Sequence, residues 1–564
     1  MPAVAAKKQL NPTKQITKKG CYQILVALGL WLVLVGCFAW VIAKEVIVDL
    51  LDDALTSLQE TKHHLANHPY LHGNFAPVHT QYTAQPVEVV RGAVPHDLEG
   101  LFVRTGPNPL PKWTKRYHWF DGHGMLHNLR FIGGNVTYTN EFIATPRYRI
   151  ERKKGKDYFL RVGEINGFVG ILKIILCDKF KLKHWKLTSL TAGPANTDTV
   201  MYNGRFYMLH EGSLPFEVKL KPDGSFEPIG YATFGGVLNY AVSAHPKVDY
   251  QSNSMLFHSY SGDPKVRETE GAMKYGELLS NGTVRMYHGL QMNHTCFAHD
   301  MFITKNYLIL IDSSVHFNVG RVLEGKSIFV FNPRANLRFA LISRESGQLV
   351  KWFDTGKPHA IVHGMNAWEE TDGTVVLWAP VGDDMEFEFE SHTNHFFMTE
   401  IRLHPTTGHM TMERLDTQYN QEFCNVRTDF YGRFSEFGVA GILESTKQDG
   451  LFSGFIIWNM SDKKMVKKVD YPANEYGGEP VVVEKGSDDS GDFYVGTFTY
   501  NEDTEESFFV LYGNQGELVS KLKLPYRVPY GFHGNWISER LLEEHFALHA
   551  PTEKEMEVPA FMTL

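Results

Sequence analysis

From residue 71 to the C-terminus the sequence is a succession of short apolar runs broken by Gly, Asn and Asp turns, with no long helical interlude. The runs at 101–104, 206–209, 307–311, 327–331, 374–378, 452–458, 493–498 and 508–511 have the length and residue types of β-strands. Aromatic residues at 13% and 49 glycines fit many short strands and tight turns better than a helical protein. Many short antiparallel strands avoid exposed edges by closing into a barrel, a sandwich or a propeller.

Four histidines narrow that choice. His245, His299, His363 and His533 each lie in an apolar, strand-like frame, separated in turn by 54, 64 and 170 positions. The third gap is close to three times the first. One histidine per repeat of roughly 50 to 60 residues, with two silent repeats in the last gap, accounts for the spacing. Over a body of about 490 residues, four strands per repeat favour a propeller of about seven blades. A two-domain sandwich is the fallback. The chain has 26 histidines, so the argument rests on the four frames together.

Imidazole binds iron, zinc, copper and nickel, so four histidines do not by themselves name a metal. A ligating imidazole usually donates its other N–H to a carboxylate or carbonyl, which fixes its orientation. Glu211, Glu422 and Glu479 lie in apolar strand frames suited to that task. A buried glutamate is costly unless hydrogen-bonded, and orienting a histidine supplies a reason for it. The five cysteines (Cys21, Cys37, Cys177, Cys296 and Cys424) are scattered and form neither a zinc motif nor a disulfide framework. A net charge of −8 without a basic block in the body argues against nucleic acid as a partner. No Gly-x-Gly-x-x-Gly fingerprint in a strand–helix setting points to a dinucleotide cofactor.

With these motifs in view, the chain resembles the carotenoid cleavage oxygenases, above all the plant and algal enzymes cutting at 9,10 and 9′,10′. The resemblance runs from about residue 71 to the C-terminus. It is carried by Gly-Asn-Phe-Ala-Pro-Val (73–78), Phe-Val-Arg-Thr-Gly-Pro-Asn-Pro (102–109), Tyr-His-Trp-Phe-Asp-Gly-His-Gly-Met (117–125), Ala-Asn-Thr (195–197) and the four histidine frames. It implies an all-β fold, a seven-bladed β-propeller capped by a dome of helices and loops. It further implies that His245, His299, His363 and His533 bind one Fe(II), with O₂ as co-substrate. Glu211 would then back His299, Glu422 would back His363 and Glu479 would back His533, leaving His245 without a carboxylate. The implied reaction splits one double bond of a carotenoid or apocarotenoid into two carbonyl products, at 9,10 (9′,10′). Within the family the alternatives are 15,15′ cleavage to retinal, 11,12 cleavage of epoxycarotenoids, stilbene cleavage and retinoid isomerohydrolysis. No obligatory protein partner follows.

Three departures stand out. Phe-Asp-Gly-His-Gly-Met replaces the usual Phe-Asp-Gly-Asp-Gly-Met, so His123 stands for an acid; a turn or dome contact is expected there in preference to a fifth metal ligand. Cys424-Asn425 follows Glu422 where Pro and a basic residue are common, and Gly364 follows His363 in place of a longer polar residue. A non-catalytic propeller scaffold would be expected to have lost a histidine or an acid, and none is missing.

The N-terminus adds a membrane expectation. A basic tail (1–20) precedes the uncharged stretch 21–43, which as a helix would reach about 34 Å, enough for a hydrocarbon core of about 30 Å. That predicts a single-pass anchor in an endomembrane or plastid membrane, then an amphipathic helix and linker over 44–70 and a catalytic domain over 71–564. Residues 167–185 combine Phe168, Ile171, Leu172, Ile174, Ile175 and Leu176 with four lysines. They read either as a core helix with a solvated edge or as an interfacial helix dipping into membrane lipid.

Overall fold

The computed structural model describes residues 18–58, 68–110, 117–179, 190–261, 264–286, 289–292, 294–387, 394–444, 450–485 and 492–550. Two units divide the chain, Met1–Glu60 and Thr61–Leu564.

The first unit holds helix α1 (Lys18–Leu58), which includes the stretch 21–43. Among the described residues no helix is long and apolar enough to cross a membrane. The expected single-pass anchor over 21–43 therefore gains no support from this structure. Most of the basic tail, residues 59–67 of the expected linker and residues 180–185 of the expected interfacial helix lie outside the described residues.

The second unit is built of antiparallel sheets. Four are four-stranded, beginning at strands Asp198–Tyr202, Lys247–Asp249, Met301–Ile303 and Asn366–Glu369. A ten-stranded sheet contains the strands from Gln421–Asn425 to Leu518–Lys523, and a five-stranded sheet joins strands from both ends of the unit. The sheet that starts at Asn366–Glu369 shows why such a meander forms. Its second strand, Val375–Gly382, is buried along its whole length, while its last, Met410–Arg414, is half exposed and carries charge. Apolar side chains on both faces hold the inner strands between neighbouring sheets, and the polar outer strand blunts the open edge.

Apolar cores lie between successive sheets. Trp378 and Trp458 illustrate one of them, with ring centroids 5.8 Å apart and edge-to-face. Their indole N–H groups donate to Glu400 and Gln421, so neither ring buries an unsatisfied donor. Truncating either to Ala would cost about 3–5 kcal/mol. The two ends of the unit are stitched together: Gly534–Ser538 pairs with Gly100–Asn108, and Leu518–Lys523 pairs with Glu88–Gly92.

Among the described residues the remaining α-helices are α2 (Pro146–Lys154), α3 (Gly167–Lys179), α4 (Pro264–Glu270), α5 (Gly320–Leu323) and α6 (Glu539–Leu548). Thr145 caps α2 by accepting from Tyr148 N–H, Pro146 opens it, and Gly155 ends it at φ 65°. Helix α3 corrects the simple amphipathic picture. Lys173 is fully buried, 2.9 Å from Glu164, whereas Phe168 is 71% exposed. The buried ion pair reverses the orientation expected from a solvated lysine edge. His123 opens strand His123–Ile132 and lies 2.8 Å from Glu151 of α2, the contact outside the metal cluster expected for it.

Candidate metal centre

Each of the four histidines stands one to three residues before a strand at the margin of its sheet. His245 precedes Lys247–Asp249, His299 precedes Met301–Ile303, His363 precedes Asn366–Glu369 and His533 precedes Gly534–Ser538. Their ligand nitrogens lie within 4.8 Å of one another, the metal-capable cluster among the described residues. The rings stand nearly edge-to-face, with centroids 4.4 Å apart for His245 and His299 and 4.7 Å apart for His363 and His533.

Carboxylates fix the rings from behind. Glu211 Oε2 is 3.1 Å from His299 Nδ1 and accepts from Ala244 N–H. Glu422 Oε2 is 2.6 Å from His363 Nδ1, and Glu479 Oε1 is 3.2 Å from His533 Nδ1. Glu479 Oε2 also accepts from Gly534 N–H at 2.7 Å. The fourth histidine departs from expectation: Asp198 Oδ2 lies 3.1 Å from His245 Nδ1. His245 thus has a carboxylate, one the reading of the sequence missed.

The electrostatics follow from burial. His245 and His363 are held well below the usual imidazole range by loss of water and by neighbouring histidines. Burial opposes charge on His533 too, but Glu479, with smaller contributions from Asp198 and Asp300, outweighs it and raises the ring to about 8. Burial also lifts the carboxyls of Glu422 to about 7 and Asp198 to about 6. A cation at the centre of the four rings would hold these acids ionised and the rings neutral.

The donor set fits a transition metal. With Nδ1–H of His245, His363 and His533 committed to carboxylates and that of His299 3.1 Å from Glu211, each Nε2 carries a lone pair. His245 Nε2 and His299 Nε2 face each other at 2.9 Å, an opposition that a shared cation relieves. His363 Nε2 is buried without a hydrogen-bond partner among the described residues. Four neutral nitrogens suit Fe, Zn, Cu or Ni better than Mg or Ca.

Aromatic rings and a tight backbone complete the surroundings. Phe297 stacks on His299 at 5.1 Å, and Phe423 lies 5.0 Å from His363 and 4.5 Å from His533. Phe423 reaches them from a left-handed backbone, φ 49°, at an irregularity in the strand after Glu422. A non-glycine residue there stores strain of about 1–3 kcal/mol. Gly364 N–H donates to Asp300, and a Cβ on Gly364 would meet the Phe302 ring at 2.3 Å. The packing of Phe302 explains why this position holds no side chain.

With this geometry in hand, the comparisons with known proteins are decisive. The family model described as "RPE65: Retinal pigment epithelial membrane protein" matches residues 75–538. The chain belongs to this family, the RPE65/carotenoid cleavage oxygenases. Among its relatives, carotenoid 9,10(9',10')-cleavage dioxygenase 1 of Arabidopsis thaliana is 28% identical over 525 residues, covering 88% of this chain and 95% of that one. The Crocus sativus carotenoid 9,10(9',10')-cleavage dioxygenase is 29% identical over 528 residues, covering 88% and 93%. A Pseudomonas brassicacearum lignostilbene dioxygenase shares the fold at TM-score 0.70 and 21% identity, covering 84% of this chain and 99% of that one. A Synechocystis apocarotenoid oxygenase does so at TM-score 0.65 and 21% identity, covering 82% and 97%. These family members are oxidoreductases, and two further relatives from Arabidopsis thaliana are named as chloroplastic.

Proposed function

We propose that this chain is a non-haem Fe(II) dioxygenase that cleaves a carotenoid or apocarotenoid with O₂, at the 9,10 (9′,10′) bonds. The observation that carries this reading is the convergence of four carboxylate-backed imidazoles in a member of this family. Bound there, Fe(II) would supply a site for O₂ and the electrons that activate it. His245, His299, His363 and His533 would hold the metal, and the acids would keep each ring in its ligating tautomer. Phe297 and Phe423 pack apolar rings against His299 and His533 beside it. The bond assignment draws on the names of the 9,10-cleaving relatives.

The same reading takes the fold as a seven-bladed propeller. Supporting it are seven apolar cores, of which six link successive sheets and return from the last to the first, while the seventh lies between the two halves of the ten-stranded sheet. Membrane lipid is the proposed source of the substrate. Exposed Phe168 and Ile175 of α3 and Val319 and Leu323 near α5, which α3 contacts, offer an apolar surface to it.

Product analysis tests the proposal. Purified protein is loaded with Fe(II) and incubated separately with β-carotene, zeaxanthin, an apocarotenal and resveratrol. Ionone-type ketones with a central dialdehyde are expected from the carotenoids. Retinal as the main product would overturn the bond assignment, and cleavage of resveratrol alone would overturn the substrate class.

A further inference from the structure

Seven strands stand at the sheet margins nearest the histidines, and each contributes one functional side chain at or near its start. Four contribute His245, His299, His363 and His533. Two others contribute Glu422, the second residue of Gln421–Asn425, and Glu479, two residues before Val481–Glu484. The seventh is Asp198–Tyr202, and its first residue is Asp198.

Asp198 repeats the contacts of Glu479. Glu479 places one oxygen on His533 Nδ1 and the other on Gly534 N–H. Asp198 places Oδ2 on His245 Nδ1 at 3.1 Å, while Oδ1 accepts from Asn535 Nδ2 at 2.9 Å and from Thr199 N–H at 2.7 Å. Asn535 is itself anchored, donating to Thr199 O and Oγ1 at 3.0 Å. The carboxylate is therefore held on two sides and has little freedom to leave the imidazole.

We infer that Asp198 is a fourth carboxylate of the metal centre, a positioning residue that fixes the ring of His245 and strengthens it as a ligand. A hydrogen bond from Nδ1–H to a carboxylate shifts electron density toward Nε2, making the imidazole a better donor. The added negative charge favours a bound dication, and favours the oxidised metal over the reduced one. All four ligands are then backed alike, where the resemblance implies only three. This inference rests on the four-histidine reading of the metal site.

The test uses metal-free full-length protein titrated with Co(II), read by ligand-field absorption and by competition with a chelator. Fe(II) loading and the Fe(III)/Fe(II) midpoint potential are measured in parallel. Asp198→Asn removes the charge in nearly the same shape, and Asp198→Ser replaces it where that variant does not fold. Circular dichroism and thermal unfolding of the metal-free forms establish that the fold is kept. The expected result is Co(II) affinity weaker by roughly tenfold to a hundredfold, a shifted absorption band and a raised midpoint potential. Parent-like affinity, band and potential in a folded variant would overturn the role of Asp198. Failure of the parent itself to bind one metal per chain would overturn the four-histidine reading, and the inference with it.

Discussion

Glu422 Oε2 lies 2.6 Å from His363 Nδ1, the shortest of the four histidine–carboxylate contacts. Glu422 also accepts from Phe423 N–H, and the Phe423 ring turns back onto His363. The atypical Cys424-Asn425 that follows has a place in this arrangement. Cys424 is buried in the apolar core below, and Asn425 bridges to the next strand by donating to Pro480 O and accepting from Val482 N–H. The strand start is thereby fixed without the residues usual in the family.

Glu422→Gln should lower iron or cobalt affinity by roughly tenfold to a hundredfold while the metal-free protein stays folded. The substitution removes a buried acid whose carboxyl burial has already raised to about 7, so the metal-free fold loses little. Metal content after dialysis against a graded chelator, compared with thermal unfolding of the metal-free protein, separates the two effects. Unchanged metal retention would show that His363 does not need this carboxylate.

The four histidines were legible in the sequence because their frames recur with the sheets. The runs at 206–209 and 307–311 read as strands and fall within Arg205–Leu209 and Tyr307–Asp312. The run at 327–331 did less well, forming only a short two-stranded pair at Phe329–Phe331. Asp198 escaped because an acid after Ala-Asn-Thr reads as a turn residue, and its partner His245 is 47 positions away. Its place at the start of a strand, next to a motif already singled out, was the signal available. The 170-residue gap that supplies no histidine is spanned by the ten-stranded sheet, which carries Glu422 and, beside one of its strands, Glu479. Lys173 was misread for a different reason. Periodicity assigns a lysine to water, and only the fold brings Glu164 against it. The left-handed Phe423 had no signal at all, since neither glycine nor asparagine marks the position.

His545 should make stability fall on acidification. Its Nδ1–H donates to Gly204 O and its Nε2 accepts from Leu220 N–H, so only the neutral ring satisfies both. Burial, with smaller contributions from its neighbours, lowers it from 6.5 to about 4. Between those values the unfolded chain binds a proton that the folded chain does not. The stabilisation is present above pH 6.5 and is lost as pH falls toward 4. Other buried histidines contribute in the same window, so the comparison is with His545→Gln. Denaturant unfolding at pH 7, 6, 5 and 4.5 should show a less stable variant at pH 7 with a shallower decline. Parallel curves for the two proteins would rule out this linkage.

His123 offers the sharpest test of how this chain departs from its family. Its Nε2 is 2.8 Å from Glu151 Oε2, and both side chains are buried. Glu151 Oε1 accepts from Tyr158 N–H and Phe159 N–H, so this acid organises the end of α2 and the segment after it. Burial alone would raise the Glu151 carboxyl, but Arg147 and His123 overcome it and hold the group well below the usual carboxylate range. Restoring the family's acid by His123→Asp would set two buried carboxylates against each other, and both cannot remain ionised. The variant should lose about 3–5 kcal/mol, the cost of breaking a buried pair. The shared proton would raise the folded-state pKa of one carboxyl, so the deficit should shrink as pH falls from 8 toward 5. His123→Asp with Glu151→Gln should recover part of the loss, measurable as coupling in a double-mutant cycle of urea unfolding. A single variant as stable as the parent at pH 8 would mean that Arg147 and the Tyr158 and Phe159 N–H groups suffice to hold Glu151, and that its contact with His123 adds nothing to stability.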